Sequence, residues 1–504
     1  MTTATNTGAG SDESTSHLHK SLTWKDGVAI AMSIPAALFS TFGYFLGVVN
    51  AWTAIAIWVG GLMIAFLQNK MFSEMAAMFP RDSGGISRYA LEGWKKYFAP
   101  VGAIAAFGYW LGWSLSISIS AILFGELIVA TWFPDNGISF SIAGNELGLP
   151  HILAVGAMIG AWAFNYFGIK IGALVNRLLS VLLIVGLALV TAACFFSPSA
   201  DWDVSRLNWG YVGDWRTLVV VFYATAWAAY GTEICASFAP EYRNTAKDTG
   251  RALRYSTMIM IVIFFLVPMS ISGSIGEQAV AENPVTYMVV AFNHSLGGAG
   301  WIGTAVIAAS MLIGIISATA DGGRALYGLA QEGMTIKQLD WLNKWGVPGR
   351  SLSLDVVINV SIMFLVGSPV SILLASNFGY LLSIVLAVSA FVLLRKDRPN
   401  WPRPIRLGRL WVPLAVVIAL FNLGVIAVGI TNPSLLGYGG ARESITAICI
   451  LLLSVALYVY RRVVQDKQPM EWRTHAPSMP EPDDAAALEA EIASINLDKK
   501  ETHA

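Results

Sequence analysis

Thr225–Asn244 reads TAWAAYGTEICASFAPEYRN. The stretch closes a long apolar run that begins after Arg216, yet Gly231, Thr232 and Glu233 stand side by side within it. Trp227 precedes the acid by about a turn and a half of helix. Glycine disfavours helix, and a carboxylate in apolar surroundings is costly. A segment that carries both near its middle is either interrupted there or keeps the acid for a purpose.

The rest of the chain fixes the surroundings of that segment. Of 504 residues, 55% are hydrophobic and only 13% are charged. A soluble fold has too little interior for so much apolar surface. Several segments reach the roughly 20 apolar residues that a bilayer-crossing helix needs. The fold class is therefore an all-α polytopic membrane protein. Lys plus Arg equals Asp plus Glu at 32 each, which points to no nucleic-acid partner. Cys194, Cys235 and Cys449 lie far apart in apolar segments and read as small core residues. The histidines (His17, His19, His151, His294, His475, His503) fall in tails and loops without ligand spacing, so no metal or other cofactor is expected. No nucleophile–base set is visible, which argues against an enzyme. The first 24 residues are polar and Ser/Thr-rich, unlike a cleavable leader.

Apolar spans lie near 27–49, 52–78, 100–132, 151–168, 172–196, 217–239, 254–275, 299–330, 353–373, 376–394, 410–430 and 443–461, twelve in all. Their connections alternate in basic content. Arg81, Arg88, Lys95, Lys96, Lys170, Arg177, Arg243, Lys247, Arg251, Arg254, Lys337, Lys344, Arg350 and the Arg395–Arg409 cluster fall on one side. The 133–150 and 276–298 loops carry no Lys or Arg. Basic loops stay in the cytoplasm, so both termini are expected there. The domains expected are a polar tail over 1–24, a twelve-helix membrane domain over 25–462 and a cytoplasmic tail over 463–504. The last tail, with DDAAALEAEIASINLDKKE, reads equally as a short amphipathic helix or as a solvated segment.

A second interruption matches the first. The first span, DGVAIAMSIPAALFSTFGYFLG, holds Pro35 in its interior. Proline lacks the N–H and clashes with the preceding turn, so the helix kinks or unwinds there. Irregular backbone at bilayer depth survives only where protein or a cavity covers it. Breaks in spans 1 and 6, five spans apart, fit an inverted five-plus-five repeat built around a binding site.

Four further stretches carry a likeness to a known family. They are SEMAAMFPRDSGGISRYALEG (Ser73–Gly93), NYFGIKIGALVNRL (Asn165–Leu178), SATADGGRALYGLAQEGMTIKQLDWLNKWGVPGRSL (Ser317–Leu352) and LLRKDRPNWPRPIRL (Leu393–Leu407). With the opening stretch as the sixth helix, the chain resembles the amino acid–polyamine–organocation transporter superfamily from residue 25 to about 460. The resemblance implies a leucine-transporter-like fold of twelve transmembrane helices, with helices 1 and 6 broken around a central site. It implies alternating access of a small amino acid or amine through the plasma membrane, with the bilayer and protons as partners. Family members hold the substrate carboxylate on amides of the broken first helix and its ammonium on carbonyls of the sixth. Helix termini offer those groups in any case.

By that pattern the substrate-binding residues are Pro35, Ala36, Ala37, Ser116, Trp227, Ala228, Tyr230 and Gly231. Trp227 matches an aromatic that closes over substrate in some members, and its face would hold an ammonium; a packed core aromatic is the plain alternative. Glu233 matches a carboxylate used by some proton-coupled members, against the alternative of an acid that bonds the broken backbone. Where some members place a lysine in the fifth helix, counting from Asn165 puts Leu183. Ser317 and Thr319 are weak sodium-site candidates, since hydroxyls in membrane helices commonly bond back to their own helix. The family's glycine-rich first break is replaced by Pro35-Ala36-Ala37-Leu38-Phe39, one amide donor short. A carboxylate-free substrate such as an amino alcohol or polyamine would explain that change. A nutrient sensor that keeps the fold without transporting is a third reading. Of the remaining polar residues, Lys70 and Glu74 are spaced as a local ion pair. Glu126 lies toward the outer end of its span, and Asp321 with Arg324 reads as an inner gate or a local pair.

Overall fold

A computed structural model describes residues 20, 22–81, 84–167, 172–437, 440–482, 485–486, 488–489 and 491–493. The first expected span is in pieces: helix α1 (Trp24–Ala31), a 3-10 turn over Ile34–Ala36, and α2 (Ala37–Phe45). Pro35, with no N–H to give, sits inside that 3-10 turn. Helices α3 (Ala51–Met78), the short α4 (Gly85–Trp94), α5 (Val101–Ser114) and α6 (Ser116–Trp132) follow, the last two forming one span interrupted at Leu115. A hairpin of β1 (Ser139–Ile142) and β2 (Asn145–Gly148), antiparallel with Ile142 opposite Asn145, leads into α7 (Leu149–Tyr166) and α8 (Gly172–Phe196).

Helix α9 (Trp215–Tyr230) stops at Gly231, and the chain continues as an eleven-residue 3-10 helix, Gly231–Glu241. So long a 3-10 run is uncommon and marks a site or a strained sequence. Beyond it come α10 (Thr245–Ile275), α11 (Glu277–Glu282), α12 (Tyr287–Leu296), α13 (Gly300–Gln331), α14 (Gly349–Val366), α15 (Pro369–Asp397), α16 (Trp411–Thr431) and α17 (Ala441–Tyr460). Nine spans among the described residues are long and apolar enough to cross a membrane, so this is a multi-pass helical membrane protein. The three other expected spans correspond to the broken first segment, to α7, and to α8, whose described apolar stretch is Val181–Phe196.

The basic connections gather at one end. Glu74 illustrates why, and it corrects a sequence expectation. Instead of a local pair with Lys70, its carboxylate takes Arg395 Nε at 3.0 Å and Nη2 at 2.6 Å, with Arg403 Nε at 3.3 Å and the Leu407 N–H at 2.7 Å. A bidentate guanidinium fork outcompetes a flexible lysine four residues away. Beside it, Arg398 is buried and donates to Glu92 Oε2 at 2.6 Å while lying 4.6 Å over the Trp401 ring. At the other end the loops poor in Lys and Arg meet. Asn145 donates to the Phe364 and Leu365 carbonyls, and Asn50 donates to Glu277.

The C-terminal tail is docked in its described part. Trp472 stacks on Phe98 at 5.8 Å, and the Thr474 N–H donates to the Lys95 carbonyl. Leu488 is fully buried, and Glu491 accepts the Thr245 and Ala246 N–H groups at the start of α10. An acid at a helix N-terminus satisfies orphan donors and the dipole together. Of the described residues of this tail, 482, 485–486, 488–489 and 491–493 are helical. Lys170 and Arg177 lie outside the described side chains.

Burial alone would raise the Glu92 carboxyl, but the Lys95, Arg88 and Arg398 charges outweigh it and hold the group below the usual carboxylate range. A depressed folded-state value gives stability that is present above the unfolded value, about 4.3, and lost as pH falls through the lower folded value. Glu92→Gln strands Arg398 and is expected to cost about 3–5 kcal/mol. Thermal unfolding in detergent across pH 3–7 checks both points, with the wild-type acid-side loss flattened in the variant.

Candidate functional site

A cavity of about 570 Å³ runs from the basic end, at Arg88, Glu241 and Glu332, inward to Tyr109 and Trp113 of α5. Its other walls are the 3-10 helix, through Ser237, and α13, through Asp321 and Arg324. The volume suits a small organic molecule.

Past the inner end of this cavity lies Glu233, only 1% exposed. Thr232 beside it is tied into α3 and α10: Asn69 Nδ2 donates to Thr232 Oγ1 at 2.8 Å and to Thr257 Oγ1 at 3.0 Å. Further along, Cys235 Sγ donates to the Gly27 carbonyl, and Tyr242 Oη donates to the Cys235 carbonyl at 3.1 Å. Gly27 is required there, because a Cβ would lie 2.1 Å from the Tyr242 hydroxyl. These bonds hold the 3-10 helix against α1, and Leu22 adds a backbone bridge to Tyr242.

Held this way, both Glu233 oxygens have no hydrogen-bond partner among the described residues, and neither do the Tyr380 hydroxyl and the Trp113 indole N–H near them. The Trp227 indole N–H, on the ring beside Trp113, is likewise without a partner among the described residues. Tyr380, Trp113 and Tyr109 lie close enough to the carboxyl to interact with it, and the Tyr109 hydroxyl is 3.5 Å from Ser237 Oγ. Their rings form a box: Trp113 lies 6.2 Å from Trp227 and 6.4 Å from Tyr380, and Tyr109 lies 6.2 Å from Tyr380. A buried polar group left unpaired costs about 1–3 kcal/mol, so several in one place mark a site kept for a partner. An acid ringed by aromatic faces can hold a proton or an ammonium.

The two breaks meet beside this box. A Cβ on Gly231 would touch Ile34 at 3.4 Å and Trp113 at 3.5 Å. Those are ordinary contacts, so it is the change from α to 3-10 geometry, rather than crowding, that singles out Gly231. Pro35 and Ala37 are buried within the first break and Ala36 is half-buried. Trp227 is half-buried against Trp113. The other candidates point elsewhere. Tyr230 gives its hydroxyl to Asn422 Oδ1 of α16 at 2.8 Å, and Ala228 is buried in the core. Ser116 donates to the Trp113 carbonyl, and Thr319 bonds back to the Ile315 carbonyl at 2.7 Å. Ser317 lies on α13 one turn before Asp321. Glu126, placed by the sequence toward the end of its span, accepts from the Tyr44 hydroxyl of α2 at 3.0 Å. Sequence reasoning passed over Tyr109, Trp113, Tyr380 and Asp355. Aromatics in membrane spans look like packing, but a lone acid in the run SLSLDVVINV carried a signal of its own.

Broken helices that meet at a buried acid, in a multi-pass helical protein with a ligand-sized cavity, define a membrane transporter. The chain matches the family model "Amino acid permease" over residues 22–455 and belongs to that family, one of transporters rather than enzymes. Among its relatives is the lysine-specific permease LysP of Escherichia coli, 23% identical over 66% of this chain and 68% of that protein. The D-serine/D-alanine/glycine transporter of the same species is 25% identical over 68% and 70% of the two chains. An arginine/ornithine antiporter of Pseudomonas aeruginosa is 26% identical over about half of each, 52% and 51%.

Trp227→Ala removes one wall of the box. Loss of a cation–π contact of about 0.5–2 kcal/mol would weaken amine binding roughly twofold to thirtyfold. Isothermal titration of the purified variant with stabilising amino acids or amines measures it; unchanged affinity assigns Trp227 to packing.

Proposed function

We propose that this chain is a secondary active transporter that moves an amino acid or a related small amine across the plasma membrane by alternating access. Transport is driven by protons or by exchange. Residues 25–462 form the transport domain, with twelve transmembrane helices in a five-plus-five inverted repeat, and the tails over 1–24 and 463–504 are cytoplasmic. Family membership supports the class, and the substrates in the relatives' names, lysine, arginine, ornithine, D-serine, D-alanine and glycine, support an amino acid as cargo.

The observation that carries the reading is the Glu233 carboxyl, without a hydrogen-bond partner among the described residues, inside an aromatic box where the two broken helices meet. An acid there binds a proton or the substrate ammonium, and either event changes the charge that the surrounding helices must accommodate. The cavity reaches the box from the basic end, so the arrangement is that of an inward-facing carrier. At the opposite end the Tyr44–Glu126 and Asn50–Glu277 bonds close the path. A carboxylate-free amine is the second reading, favoured by Pro35, which removes an amide donor from the first break.

In proteoliposomes, Glu233→Gln is expected to lower gradient-driven uptake about tenfold or more, equivalent to about 1.4 kcal/mol or more, and to flatten its pH dependence. Substrate-for-substrate exchange should persist. Driven uptake with the wild-type pH profile would remove Glu233 as proton carrier. Inhibition of uptake by amines but not by amino acids would select the second reading.

A further inference from the structure

A second carboxylic acid lies within the membrane domain without a counter-charge. Asp355 of α14 is fully buried. Its Oδ1 accepts two hydrogen bonds from α5, from Trp110 Nε1 at 3.1 Å and from Ser114 Oγ at 2.6 Å. Its Oδ2 has no partner among the described residues. The neighbours are neutral and already engaged. Asn359, one turn on, donates to Ser114 Oγ at 2.9 Å and accepts from Ser118 Oγ at 2.6 Å. Among the described residues Asp355 forms no ion pair, and the hydrogen bonds to its side chain come from Trp110 and Ser114. Asp321 and Arg324 of α13, the nearest ionisable candidates along that helix, line the cavity instead.

What fits Oδ2 is decided by Gly322 of α13. A Cβ on that glycine would lie 2.2 Å from Oδ2, so the oxygen is pressed against helix backbone. A metal ion needs several oxygen ligands at roughly 2.0–2.6 Å, and among the described residues no cluster of acids, histidines or cysteines stands there to supply them. An ionised carboxylate in this place, with one oxygen bare and no cation, would be expensive. A proton is the one cation that fits. From this geometry we infer that Asp355 is a second proton-binding site of the protein, neutral in the arrangement described here.

Two of the groups that touch Asp355, Trp110 and Gly322, are also cavity walls. Movement of α13 away from α14 would uncover Oδ2 to water in the cavity. The carboxyl O–H bond then breaks, the proton passes to that water, and the carboxylate left behind keeps Trp110 and Ser114 as donors. Return of α13 requires the proton back. The coupling of this step to transport rests on the function proposed above; the protonation itself does not.

The test is an infrared spectrum of the purified full-length protein at neutral pH. Asp355→Asn preserves the size of the side chain and its acceptor for Trp110 and Ser114. The carbonyl band of a protonated carboxyl is expected in the wild type and in Glu233→Gln, with the Asp355 contribution missing from Asp355→Asn. A wild-type band unchanged in Asp355→Asn would overturn the assignment. Ser114→Ala keeps the acid and takes one donor from Oδ1, so the band should move to higher frequency; an unmoved band would also overturn it. In proteoliposomes, Asp355→Asn should lose gradient-driven uptake about tenfold and keep exchange. Driven uptake with the wild-type pH profile would sever the site from transport, whereas failure of every variant and the wild type to transport would sink the functional reading and leave the infrared result standing.

Discussion

The site depends on one junction, where the α1–α2 segment and the α9 segment both abandon α-helical geometry and touch, Ile34 against Gly231. A bilayer offers no water to unpaired backbone groups, so each break needs protein around it. The breaks cover one another, and the cover is fixed by named bonds. Cys235 and Tyr242 hold α1 to the 3-10 helix, and Asn69 ties Thr232 to α10. Glu233 stands between these two anchors, which is why a carboxyl can be presented bare to an aromatic box without the segment collapsing onto it.

The charged belt at the basic end complements the junction. Glu74 and Glu92 engage Arg395, Arg403 and Arg398, fastening the end of α15 to α3 and α4. That assembly is dense with matched charge, whereas Glu233 and Asp355 form no ion pair among the described residues. Paired charges brace the scaffold, and it is the lack of such pairing on which the proton-binding roles proposed for the two acids rest.

Much of this was legible in the chain itself. Pro35 and the Gly231–Glu233 cluster marked both interruptions, because proline and glycine act on the backbone locally. The alternation of basic loops anticipated which connections meet, since charge segregates across a bilayer whatever the tertiary fold. Partner choice was hidden. Glu74 reads as a partner of Lys70 by spacing, and only the three-dimensional approach of α15 supplies the better guanidinium. Tyr230 sits three residues from Trp227 yet faces Asn422 of α16, a matter of which side of one turn points inward. The box of Tyr109, Trp113 and Tyr380 joins α5 to α15 across more than 260 residues, a separation that no local pattern encodes.

Hydrogen–deuterium exchange of the purified protein, with and without an amino acid that stabilises it against heat, tests the central claim most directly. The account predicts that peptides over 31–37 and 231–241 exchange faster than the middle of α3, and that bound ligand slows both together. Equal protection of these segments and α3, unchanged by ligand, would contradict a binding site built where the two helices break.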